Sequence, residues 1–221
     1  MNVLMLRHSA GYEHSYLPDA EVALKQLGKK HGWRVTTTCR VESVTPERLA
    51  RLDVLVFATA GDLPWAPGQQ EAIIRHVREG GGFFGIHNAT ASGYEWPEYG
   101  QMLGGYFAGH PWTQEVRVIV EDTDHPATRM LGSEFRVYDE IYTFRDWDRS
   151  KTHVLLSLDN NSVDLSKGTR DDHDYALAWC HNYGRGRVIY TGFGHPDDLW
   201  REEWFLAHIA GCLRWAGRLE D

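Results

Sequence analysis

GGGFFGIHNAT, residues 80–90, sets three glycines, a short apolar run and a lone histidine side by side. A helix commonly ends on a residue in the left-handed region, which glycine adopts without strain. The glycines therefore close the helix marked by Ile73, Ile74 and Val77, and Phe83 to Ile86 form a buried strand. Working outward toward the N-terminus, DVLVFA (53–58) is an apolar run typical of a strand covered on both faces. Trp33 to Cys39 forms another strand. Asn2 to Leu6 forms the first, followed by Ala20, Ala23, Leu24 and Leu27 at helical spacing. Strands alternating with helices imply a parallel sheet with helices on both faces. In such sheets ligands bind outside the carboxyl ends of the strands, and His87 stands at one of those ends.

The second half reads differently. EVRVIVE (115–121), EIYTF (140–144) and THVLLSL (152–158) are strand-like with no helical period between them, and extend the sheet or decorate an edge. DYALAWCHNYGRGRVIYTGFGH, from Asp174, gives two β-rich runs around a turn marked by Asn182, Gly184 and Gly186, a hairpin signal. Trp204, Phe205, Ile209, Cys212 and Ala216 then trace a helix. The expected fold is a single α/β domain over residues 1–221, a three-layer sandwich with a mainly parallel sheet and a C-terminal hairpin followed by a helix.

The chain of 221 residues has a formal net charge of -8, which argues against nucleic-acid and anionic-membrane partners, since both demand clustered cations. A small neutral or polar ligand suits it better, and association into a homo-oligomer stays open. The N-terminal apolar run is too short for a signal-peptide core and no stretch approaches ~18 apolar residues, so a cytoplasmic protein is expected. Cys39, Cys180 and Cys212 are odd in number and share no CxxC spacing, which excludes a disulfide framework and a thiolate zinc site. All three read as core thiols.

His8 and His14 lie after the first strand, and His110 lies in GGYFAGHP, so with His87 four imidazoles can face one edge. Pairing Asn182 with Gly186 around a three-residue turn sets His173 opposite His195 at that same edge. His181 then lies beside the turn, ~26 Å along the strand from His173, too far to share a site. Each histidine also has a plain structural reading as a hydrogen-bonded or surface residue. Tyr94, Trp96, Tyr99 and Trp112 serve core or lid packing as readily as stacking on a sugar ring, and Asp139 and Glu140 serve as a solvated strand end.

GGGFFGIH followed by YEWPEYGQMLGGYFAGHP, DHPAT (124–128), DEIYTF (139–144) and HDYALAWCHNYGRGRVIYTGFGH resembles the trehalose-utilisation, or ThuA-like, family, over nearly the whole chain. That family is similar in fold to class I glutamine amidotransferases, a flavodoxin-like sandwich whose nucleophilic cysteine sits in a G-x-C-x-G elbow. Here the frame reads Gly85-Ile86-His87-Asn88-Ala89. Imidazole does not replace a thiolate that attacks an amide and leaves as a thioester does, so glutaminase chemistry is not expected.

The resemblance implies an enzyme acting on a disaccharide or keto-sugar as a hydrolase, lyase or isomerase. His87 is the expected general acid or base, with Glu140 its partner carboxylate and His195 beside them. His14, His110 and His173 are expected to bind hydroxyls, as are Asp139, Tyr142, Tyr94, Trp96 and Tyr99. No cofactor is demanded. A divalent metal, zinc first, is the one candidate, held among His14, His87, His110, His173 and His195 with Asp139 or Glu140 behind them. The alternatives are a metal-binding hydrolase and a non-catalytic sugar-binding protein.

Overall fold

Val3 and Met5 enter the core on one face of the first strand and Leu4 and Leu6 the core on the other, as a side-chain period of two requires. The computed structural model, which describes residues 1–221, places helices over both of these faces. Along the chain run β1 (Asn2–Ser9), α1 (Leu17–His31), β2 (Arg34–Thr38), α2 (Pro46–Leu49), β3 (Val54–Ala60), α3 (Gln69–Arg78) and β4 (Gly82–Ile86). Next come α4 (Pro97–Leu103), β5 (Tyr106–Val120), β6 (Glu134–Arg145), β7 (His153–Leu158), β8 (Ala176–Tyr183), β9 (Gly186–Thr191) and α5 (Glu203–Ala216). α1 and α5 pack on one face, α2, α3 and α4 on the other. β3 and β4 are buried throughout, and Gly80 takes φ +127° just past α3, as the glycine cluster implied.

The nine strands form one sheet in the order β2-β1-β3-β4-β9-β8-β7-β5-β6. The expectation of a mainly parallel sheet fails. β2 through β4 and on to β9 pair in parallel, but β9-β8, β8-β7, β7-β5 and β5-β6 are all antiparallel. A parallel neighbour needs a long crossover, usually a helix. Between β5 and β9 no α-helix intervenes to carry one.

β5 and β6 form a long ribbon, paired with each other over most of their length and with β7 only through Val118, Ile119 and Val120. Two irregularities interrupt it, between Phe107 and Gly109 and between Gly109 and Trp112. Most of GGYFAGHP (104–111) therefore lies within β5. Pro111, which cannot donate to a ladder, is tolerated at the bulge.

The hairpin exists, but its register differs by one residue from expectation. Asn182 pairs with Arg187 and Tyr183 with Gly186, around the two-residue turn Gly184-Arg185 with Gly184 at φ +62°. A glycine at positive φ in the first central position is the II′ pattern that matches strand twist. Of the three thiols, Cys180 and Cys212 are buried as expected and Cys39 is exposed, at the end of the edge strand β2. No helix is long and apolar enough to cross a membrane.

Candidate functional site

Three imidazoles come from the carboxyl ends of parallel strands: His14 after β1, His87 after β4 and His195 after β9. Their ring centres form a triangle with sides of 5.2, 5.4 and 5.6 Å. His87 occupies a true elbow, with φ +42° in the region that side-chain-bearing residues avoid. Gly85 makes the elbow possible, since a Cβ there would lie 2.8 Å from the Leu103 side chain and 3.2 Å from that of Tyr190. Tyr190 also clamps the turn, its hydroxyl donating to the His87 carbonyl at 2.8 Å.

The fourth group arrives from the ribbon. Glu140 and Tyr142, two residues apart, share one face of β6. Glu140 sets one carboxylate oxygen 3.8 Å from His87 Nε2 and the other 3.6 Å from His195 Nε2 and 3.9 Å from His110 Nδ1. These are ion-pair separations, longer than hydrogen bonds. His110 reaches the site because the β5 irregularity re-aims it, a common use of bulges beside active sites. The Tyr142 ring lies 4.1 Å from that of His87.

His87 Nδ1 meets the Gly192 carbonyl at 2.7 Å, and a carbonyl only accepts, so this nitrogen carries the proton. Nε2 is then the lone-pair atom. It is buried and has no hydrogen-bond partner. Burial, reinforced by the imidazoles of His14, His195 and His110, holds the His87 pKa well below its ordinary value, so the ring is neutral. Burial, then His195, brings His14 down to about 4. Asn88 links His14 Nδ1, 3.2 Å away, to the hydroxyl of Tyr16, 2.6 Å away.

Asp139 points away from the cleft and is fully buried. It accepts the backbone N–H groups of Gly194, Glu140 and His195, tying the ribbon to the loop after β9. Burial pushes its carboxyl up to about 8, against the three donors that hold it down.

In front of the cluster lies a cleft of about 480 Å³ faced by Tyr12, Tyr94, Phe107 and Tyr142, with His14, His110 and Glu140 at its polar end and no Lys or Arg in its wall. A hollow of about 590 Å³ at the opposite edge of the sheet offers one imidazole, His76, and no convergence of reactive groups.

Of the residues singled out from sequence, the fold brings together His14, His87, His110, His195, Glu140 and Tyr142, with Asp139 behind them and Tyr94 at the mouth. Trp96 and Tyr99 are corrected. Both are core residues packed with Phe57, Phe83 and Trp65, because α4 turns them inward. His173 is corrected too. It sits exposed at φ +52° before β8, where its carbonyl accepts from Asn160, away from the cluster. The ladder between β8 and β9 ends at Ala178 and Thr191, so strand pairing, which the sequence reading extends to His173 and His195, places neither of them. Asn88, Tyr16, Phe107 and Tyr12 escaped the sequence reading. Asn88 alone carried a signal, as the residue after the elbow.

The trehalose-utilisation (ThuA) family model matches residues 2–216. A ThuA-like protein from Bacteroides uniformis has a similar structure, with a TM-score of 0.81 and 24% identity over 98% of this chain and 91% of that one. One from Parabacteroides merdae has a TM-score of 0.78 and 16% identity over 100% and 91%. PurLQS from Thermotoga maritima shares the fold at a TM-score of 0.57 and 15% identity, over 97% of this chain and 99% of that one. No curated protein matches the sequence.

Proposed function

The chain belongs to the trehalose-utilisation family, and we propose on that premise that it is a carbohydrate-processing enzyme whose reaction takes place where the histidines meet Glu140. One observation carries this reading: His87 Nε2 holds its lone pair, buried and unpartnered, behind a cleft walled by aromatic rings and free of cations. Aromatic faces suit the C–H face of a pyranose, while imidazoles and a carboxylate suit its hydroxyls. A wall without Lys or Arg favours a neutral sugar, a disaccharide or a keto-sugar, over a phosphorylated one.

Proton transfer falls to His195 and His110, whose side chains reach solvent, with Glu140 between them. Glycoside hydrolysis by a carboxylate pair is disfavoured, because Asp139 is committed to backbone N–H groups and Glu140 stands alone. A keto group acidifies neighbouring C–H bonds, so elimination or isomerisation beside it needs only acid and base groups. Glutaminase activity is not part of the proposal, since an imidazole holds the elbow. Three free thiols agree with a reducing compartment such as the cytoplasm.

The test is incubation with trehalose and its keto derivatives, followed by NMR, with and without added divalent metals. Product formation that is lost in His195→Gln supports the proposal. Sugar binding with no turnover under any of these conditions overturns it in favour of a non-catalytic binding protein.

A further inference from the structure

We propose that His14, His87 and Glu140 are the protein ligands of a divalent transition-metal ion, with its remaining positions open toward the cleft. Each residue offers one donor atom, and the three donors lie within 4.8 Å of one another. Two imidazoles and a carboxylate are a recurrent set for catalytic zinc, and for other first-row ions when positions are left free. The expectation of an all-histidine set is thereby narrowed to two histidines and the ribbon's carboxylate.

The ligands are also held as a metal site needs them held. A ligating histidine usually donates its other ring N–H to a carbonyl or carboxylate, which fixes the tautomer and aims the lone pair. His87 does this through Nδ1 to the Gly192 carbonyl. His14 has Asn88 against its Nδ1. A half-turn of that amide presents its oxygen to a ring N–H and frees Nε2 for the ion. The Tyr16 hydroxyl on the far side can then accept where it had donated.

The second, independent observation is the buried His87 Nε2 with no hydrogen-bond partner. Leaving a buried polar atom so is unfavourable, and a bound cation removes that cost. Spacing agrees as well. Rings held at about 2.1 Å on a tetrahedral ion have centres roughly 5 Å apart, and those of His14 and His87 are 5.2 Å apart. Glu140 stands 3.8 Å from His87 Nε2, where shared coordination needs about 3.0–3.4 Å. The donors of the whole set lie within 4.8 Å of one another, so the carboxylate has to swing in by up to roughly 1.5 Å. His195 and His110 stay outside the ligand set as proton carriers. The ion would act as a Lewis acid on a sugar oxygen or on a bound water.

The experiment uses untagged protein stripped by chelator and dialysed. Zn²⁺ uptake is measured by calorimetry and elemental analysis, and Co²⁺ is added as a probe whose visible absorption reports its ligands. One equivalent per chain is expected. His87→Gln, His14→Gln and the isosteric Glu140→Gln should each weaken binding by about 100-fold or more, and Glu140→Gln should change the Co²⁺ spectrum while metal-free melting stays put. His153→Gln, on an exposed histidine paired with Asp122, should bind as the parent does. Failure to take up zinc, manganese, iron(II), cobalt or nickel stoichiometrically overturns the site, as does uptake that survives Glu140→Gln. Binding is read with metal alone, so uptake without sugar turnover overturns only the sugar reading, and turnover by metal-free protein that takes up no ion overturns only this one.

Discussion

The two halves of the sheet are built to different standards. From β2 to β9 the strands are short and parallel, and β3 and β4 have no exposed residue. In the ribbon buried and exposed positions alternate, Tyr138 is 59% exposed, and only three residues of β5 pair with β7. The first half is a frame that fixes three imidazoles at strand ends. The second is an arm that carries Glu140, Tyr142 and His110 across to meet them. Precision comes from the frame, and the charged group comes from the element whose position the sheet constrains least.

The arm's carboxylate carries the largest expected effect. Glu140→Gln should lower turnover of the sugar by about 10²–10⁴-fold, the usual weight of an acid/base group, with the melting temperature held. An unchanged rate would leave the arm a mere cover over the site. For stability the order reverses. Phe84→Ala, in the buried β4, should cost about 3–5 kcal/mol in urea unfolding, whereas Tyr138→Ala on the arm should stay within about 0.5 kcal/mol. Equal losses would show that arm and frame are one cooperative unit at those positions.

Much of the frame is legible in the sequence because its signals are local. A run such as DVLVFA, apolar after its first residue, has one comfortable environment, and the glycines before Phe83 mark a helix end, while Gly85 leaves room for the elbow. The arm's contribution is less legible. Glu140 stands in EIYTF and is recognisable as a strand-end carboxylate, but its approach to His87 depends on two irregularities in β5 that no periodicity announces. Gly109 and Pro111 sit at irregularities within β5, whereas Gly104 and Gly105 lie before the strand, and nothing in the sequence separates the two cases. The hairpin illustrates a subtler limit. Asn182 to Gly186 is compatible with two-residue and three-residue turns, and the choice shifts every partner by one; beyond Ala178 and Thr191 the strands no longer pair, so no register places His173.

The frame should also be the acid-sensitive half. Burial lowers His208, bonded to Thr191 and to the Ala127 carbonyl, to about 4. Between that value and the ~6.5 of an unfolded histidine, the unfolded chain binds more protons than the native one. This contribution to stability is therefore whole above pH ~6.5 and falls as pH drops toward 4, by up to about 3 kcal/mol. Urea midpoints at pH 7 and pH 5 should separate in the parent and separate less in His208→Gln, where the lowered His14, His87 and His125 still contribute. A separation undiminished by the substitution would show that His208 is not among the groups responsible. The smallest effect belongs to His173→Gln, which should change neither turnover nor melting. A clear loss of turnover in a stable His173→Gln protein would return the loop before β8 to the site.

The arm's attachment has an evolutionary consequence. Its root is Val118, Ile119 and Val120 against Leu158, Ser157 and Leu156, and its reach is set by bulges farther out. An inserted or deleted residue at a bulge re-aims the outer part of the arm without disturbing the strands that hold the imidazoles. Descendants of such a chain can inherit the elbow and its histidine intact while acquiring a new group opposite them. In this architecture the reaction can drift faster than the fold.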